Sequence, residues 1–393
     1  MVPTTRAMRA RADASADRLP RDALSDALLR LPAREICRLR AVCRPWRALT
    51  SDPAFVRAHA AAHPGPLFVA KFRDDPAHVY VIDAGGTVLK RVAGADGGVH
   101  VLRTRLDLAC LATDWNRCRV LNPATGALQV LPQSSAPQHK NRVNLSNPYT
   151  FFALGLVAST GEYKVFRMFN RLGFLLGGEQ LFEVLTINDS SGAADSCWRA
   201  MPMPSLFIEA STGGVVGSVV YFFVNRGYNP VTLYSDAGAR SDYILSFDLE
   251  REEWRSGLAG PIGEEIDSGE DFQSKRYRFA LAELKGSLVL VYKRRQKSIF
   301  VMDLWFLMDF ENGLWEKKYT LRTRVIAPTG DNLKHVIPIL VLNDGRIVIH
   351  AAPTGVLIIW NKSDPRVNNF VTLVEGRPLD SVGVYTGSLL SLQ

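Results

Sequence analysis

Acid/base chemistry needs carboxyls held close together, and Glu264, Glu265 and Asp271 gather in the stretch Pro261 to Arg278. Gly263 and Gly269 break that stretch, and Lys275, Arg276 and Arg278 balance its charge, so it reads more simply as a solvated loop. The seven histidines, His59, His63, His78, His100, His139, His335 and His350, never occur as HxH. None stands beside a cysteine at metal-ligand spacing, so no metal site is expected. GxSxG, Walker, GxGxxG, HExxH, SxxK and EF-hand patterns are absent, and neither a catalytic residue nor a cofactor is expected.

Binding chemistry is the remaining class. The net charge of +8 would suit nucleic acid, but it is unevenly placed. Residues 1–63 carry 12 Lys and Arg against 6 Asp and Glu, whereas the other 330 residues carry 35 against 33. Nucleic-acid binders concentrate charge to neutralise phosphates, and the larger part of this chain does not. Its densest cluster, Lys293-Arg294-Arg295-Gln296-Lys297, lies between apolar runs and reads as a hairpin tip in solvent. Trp198, Trp254 and Trp315 could stack a sugar or base, but they recur at equivalent places and are expected to make one repeated core contact. No run of eighteen apolar residues exists and no secretory signal is visible, so no membrane is expected. The triplets at Asn144, Asn188 and Asn361 therefore carry no glycosylation argument. Five cysteines without a CxxC pair suit a reduced nuclear or cytoplasmic setting.

The elements that would position a partner begin at Leu19. Leu24, Ala27, Leu28 and Leu31 recur at helical spacing between Pro20 and Pro32, and Ile36, Leu39 and Cys43 repeat it. Pro45 then opens a third helix with Trp46 and Leu49, and the spacing runs on from Pro53 to His63 until Pro64-Gly65-Pro66 stops it. Helices this short cannot close a core of their own, so their apolar faces are expected to form a docking surface.

These residues resemble the F-box. Its elements are here Leu19-Pro20, Leu28 to Pro32, Val42-Cys43-Arg44-Pro45-Trp46 and Asp52-Pro53-Ala54-Phe55. The resemblance implies docking to a Skp-type adaptor, and through it to a cullin-RING ubiquitin ligase. By the same resemblance Leu19, Pro20, Leu28, Leu31, Pro32, Val42, Cys43 and Trp46 would form or support the adaptor-facing surface. Ala27 replaces a larger aliphatic residue usual in the family. Three lost carbons would weaken docking by about 1 to 2 kcal/mol, at roughly 0.8 kcal/mol per methylene.

From Leu67 the pattern changes to short extended runs separated by Gly, Asn, Asp and Pro. An apolar residue, an Asx and a second apolar residue six positions on recur at Asp83, Asn122, Asp248, Asp309 and Asn361, with Asn188 fitting if its turn is longer. Those six Asx positions lie 39, 66, 60, 61 and 52 residues apart, the spacing of four-stranded blades. Blades escape exposed edges by closing into a ring, so the fold class expected is a small all-α module followed by an all-β propeller of six blades. The unit from Leu67 to Val92 is one strand short, and the C-terminal segment around Val382 to Tyr385 is expected to complete it. Asp107 to Pro132, with its Asn122-Pro-Ala-Thr-Gly126 turn, and the ending Ser388 to Leu392 resemble the F-box-associated propeller of plant F-box proteins.

The expected organisation is a disordered arm over 1–18, the F-box module over 19–63 and the propeller over 67–393. Its function is then that of a substrate receptor in a Skp-cullin-F-box ligase, holding a target protein of unknown identity. Recognition loops are sought at Gln133 to Tyr149, Asn225 to Asp242 and Pro261 to Arg278, where Tyr149, Tyr228, Tyr234, Phe272 and Tyr277 are of the type found at hot spots. Alternatives are a propeller enzyme or glycan-binding module with a helical cap, and a scaffold outside any ligase.

Overall fold

A strand buried on both faces cannot alternate apolar with polar, and the middle strands of this chain show that pattern. The computed structural model describes residues 20–390 apart from 64, 94–98, 114–116, 133–148, 172–178, 188–196, 226–241, 263–277, 297–298, 324–335, 353, 362–369 and 373–375. The arm over 1–18, Leu19, Asn144, Asn188 and the carboxylates Glu264, Glu265 and Asp271 lie outside the described residues. So do Tyr228, Tyr234, Phe272 and Tyr277.

The chain forms two compact units. One comprises residues 1–65, 123–125 and 387–393, and the other comprises 66–122 and 126–386. The larger unit is a six-bladed β-propeller. From second to sixth, the blades open on the inner strands Val99–Val101, Tyr149–Val157, Gly214–Val216, Phe279–Leu284 and Val336–Val341, each followed outward by three antiparallel strands.

The first blade is assembled from both ends of the chain. Val88–Ala93, His78–Asp83 and Leu67–Phe72 come from one end and Leu379–Tyr385 from the other, the last two paired antiparallel from Leu67↔Tyr385 to Phe72↔Leu379. The short strand Arg105–Leu106 adds to Leu379–Tyr385 in parallel. Ring closure follows from contacts among inner strands, because Leu379–Tyr385 touches both Val99–Val101 and Val336–Val341.

Packing alternates residue by residue between neighbouring blades. In the fifth blade Val289 and Val291 join Ile347 and Ile349 of the sixth, while Leu288 and Leu290 join Phe223 and Ile244 of the fourth. Both faces are dry, which is why the run Ser287-Leu-Val-Leu-Val-Tyr292 is nearly continuously apolar.

The Asx frames at Asp83, Asn122, Asp248 and Asp309 mark the outermost hairpins of their blades. Asp248 accepts from the Glu250 amide at 2.9 Å, and Asp309 accepts from the Asn312 amide at 3.1 Å. Short polar side chains that bond the backbone ahead of them open such turns. Gly126 sits at φ +83° and donates its amide to the Asn122 carbonyl at 2.8 Å, a conformation that favours glycine.

The three repeat tryptophans do more than fill a core. Trp198 Nε1 donates to the Pro132 carbonyl at 2.7 Å, Trp254 Nε1 to that of Pro202 at 2.7 Å, and Trp315 Nε1 to that of Ala259 at 3.0 Å. Every acceptor lies just beyond the outermost strand of the preceding blade, so the tryptophans stitch blades two to three, three to four and four to five. The basic cluster departs from its expected hairpin tip. Lys293 and Arg294 lie within the strand Ser287–Gln296, Lys293 is fully buried, and Arg294 bonds Asp303. Lys297 lies outside the described residues.

Candidate docking surface of the helical unit

Four helices are described, α1 Arg21–Leu29, α2 Ala33–Leu39, α3 Arg44–Ser51 and α4 Pro53–Ala62. Proline precedes or opens each of them at Pro20, Pro32, Pro45 and Pro53, where a missing amide hydrogen costs nothing. Asp52 caps α4 by accepting from the Ala54 amide at 2.8 Å. The Asp-Pro-x-Phe sequence thereby starts a helix whose first turn drops Phe55, only 4% exposed, into the core.

That core corrects one expectation. The helices do enclose apolar residues, Leu28, Ile36, Leu49 and Phe55, but a fifth side chain completes the cluster, Leu390 from the C-terminal tail. Leu390 is fully buried. Arg40 fastens the tail, because one guanidinium nitrogen donates both to the Leu390 carbonyl at 2.7 Å and to the Thr50 carbonyl at 2.6 Å. Leu389-Leu390 forms a turn.

The residues anticipated for docking divide into two groups. Leu28 is buried at 3% exposure and supports the surface from beneath. Pro20, Pro32 and Val42 are exposed, Cys43 is half-buried, and Leu31 and Trp46 are half-buried at the margin of the same core. Val42, in the turn between α2 and α3, is 62% exposed, the most open large apolar side chain among the described residues of this unit. Ala27 is exposed as well, where a larger residue would add contact area.

Two polar groups hold the frame and were not singled out in the sequence. His59, 4% exposed, donates from Nε2 to the Leu31 carbonyl at 2.8 Å and so pins the end of α1 to α4. Burial lowers its pKa below the ordinary value, more than the Leu31 bond raises it. Burial likewise lowers that of Arg40, the nearby Cys37 opposing and Arg47 adding to the shift. No local pattern marks His59 among the seven histidines.

Elsewhere the described side chains assemble little chemistry. Among the described residues no three His, Cys, Asp or Glu side chains gather as a metal site would require, and no helix is long and apolar enough to cross a membrane. The three loops named as recognition candidates lie almost wholly outside the described residues.

Residues 92–360 match the family described as the F-box associated beta propeller domain, and residues 16–59 the family described as F-box-like. The chain is 23% identical to F-box protein At3g07870 of Arabidopsis thaliana, over 91% of this chain and 87% of that protein. It is also 23% identical to F-box/LRR-repeat protein At2g43260 of the same plant, over 78% of this chain and 68% of that one. F-box/kelch-repeat protein At3g23880, again from that plant, is 22% identical over 88% and 89% respectively.

Proposed function

Because the chain belongs to the F-box associated β-propeller family and carries an F-box-like segment, we propose that it is the substrate-recognition subunit of a Skp-cullin-F-box ubiquitin ligase. The helical unit docks a Skp-type adaptor, the propeller holds a target protein, and other subunits transfer ubiquitin. The chain contributes proximity, turning the meeting of target and ubiquitin carrier into an effectively intramolecular event. It acts in the nucleus or cytoplasm and makes no covalent bond itself.

The observation that supports this reading is a unit with its own core that still leaves apolar surface at the motif, Val42 at 62% exposure beside half-buried Cys43 and Trp46. Exposed apolar side chains grouped on a small module suit a partner. Val42→Asp tests it, because a substitution this exposed changes stability by no more than about 0.5 kcal/mol. Pull-down with a recombinant Skp-type adaptor is expected to fall at least tenfold while the unfolding midpoint holds. Equal recovery of both proteins would reject the surface.

A further inference from the structure

Two of the five cysteines face each other in the second blade. Cys110 lies on the strand Ala109–Thr113 and Cys118 on its neighbour Cys118–Leu121, the two middle strands of that blade. The antiparallel register sets Cys110 opposite Val120 and Ala112 opposite Cys118. Residues two apart on a strand share a face, so the two cysteines are diagonal neighbours on one side of the sheet. That side is the dry one, where they join Phe152, Leu154, Val165 and Leu185 of the third blade in a single core.

Both side chains are enclosed, Cys110 at 0% and Cys118 at 3% exposure, and both are free thiols. Their sulfurs stand 3.0 Å apart, one thiol donating to the other. Atoms that merely pack keep farther off, roughly 3.5 to 4.0 Å even for the smaller carbon. The bond to Cys118 first and burial second raise the Cys110 pKa well above the ordinary thiol value, so Cys110 keeps its proton at neutral pH. Reaction at this pair is accordingly slow, because the thiolate is the nucleophile.

We propose that Cys110 and Cys118 are a redox-modification site, closing to a reversible disulfide that staples the middle strands of the second blade. The co-reactant is a peroxide, hydrogen peroxide in the simplest case. One thiolate attacks a peroxide oxygen, the O–O bond breaks, and a sulfenic acid and a hydroxide, protonated to water, result. The second sulfur then attacks the sulfenic sulfur, the S–O bond breaks, and a second water leaves. Two thiols have given up two electrons and two protons, and the peroxide has become two waters. A dithiol reverses the step by exchange through a mixed disulfide. A disulfide brings its sulfurs to about 2.0 Å, about 1 Å closer than these stand, so closure asks little of the strands. The site rests on the geometry of the blade and is independent of adaptor docking.

Tryptic cleavage at Arg105, Arg117 and Arg119 places Cys110 in peptide 106–117 and Cys118 in peptide 118–119. The full chain is reduced, freed of reductant and exposed to hydrogen peroxide while folded, and its remaining thiols are blocked before digestion. The two peptides are expected to be linked, short by the mass of two hydrogens, and to separate again with dithiothreitol. The linked chain is expected to unfold at a midpoint higher by at least about 2 °C, and reduction to restore the lower one. Cys118→Ser is expected to show neither response. The proposal is overturned by a folded wild type that forms no link, by a link that forms only after unfolding, or by linkage mainly through Cys37, Cys43 or Cys197. An unchanged midpoint in the linked chain overturns the stapling. If circular dichroism shows Cys118→Ser unfolded, the decision passes to the wild-type peptide map and to Cys110→Ala, in which a peroxide-induced rise of the midpoint overturns the assignment.

Discussion

His59 shows how one side chain sets the conditions under which the helical unit holds together. Its ring must keep a proton on Nε2 for Leu31, yet burial opposes a second proton, so the folded pKa lies below the ordinary 6.5. A histidine with a lowered folded pKa contributes stability in full above its unfolded value. That contribution is lost as the pH falls through 6.5 toward the folded value, because the unfolded chain then binds the extra proton. Hydrogen exchange of the α4 amides, corrected for intrinsic pH dependence, is expected to show less protection at pH 5 than at pH 7.5. His59→Gln is expected to flatten that difference, and an undiminished pH response in the variant would remove His59 from the account.

At the scale of elements, four short helices share their core with a segment from the other end of the chain. Leu390 is fully buried among Leu28, Ile36, Leu49 and Phe55. Truncating such a leucine costs about 2 to 5 kcal/mol, a large share of what a unit this small has to lose. Leu390→Ala is therefore expected to raise protease sensitivity across residues 20–62 and to lower adaptor capture. The propeller's own unfolding should stay in place. Capture at the wild-type level with wild-type protease resistance would show that the tail is dispensable.

For the whole molecule, ring integrity rests on joints between blades as well as on the ladder from Leu67 to Phe72 against Leu379 to Tyr385. Trp254 is one such joint, its ring packed edge-on against Phe182 and Phe247 and its Nε1 bonded to the Pro202 carbonyl. Trp254→Phe keeps most of the packing and loses the bond, an expected cost of about 1 kcal/mol in urea unfolding of the full chain. Trp254→Ala loses both, an expected cost of about 3 to 5 kcal/mol. Equal costs for the two variants would mean that the bond contributes all of the effect.

The repeat of Asx turns at Asp83, Asn122, Asp248 and Asp309 and the Val-Cys and Asp-Pro elements were legible in the chain because turn and cap chemistry is local. An Asp that bonds two residues ahead, or a Pro at a first helical turn, acts within a few positions of itself. The basic run at Lys293 misled for the opposite reason, since a charge pattern does not say which face of a strand the ring encloses. Nothing local in Leu390 or His59 announced its place either, because each acts on residues brought near only by folding, 341 positions from Leu49 in one case and 28 from Leu31 in the other. The sequence by itself therefore determined the six-bladed ring and the F-box-like segment, but not that residues 387–393 leave the propeller for the helical unit. Tertiary structure alone decided which residues complete the helical core and that Lys293 is buried within a strand of the fifth blade, since burial and distance across the chain are properties of the closed ring and the packed helices.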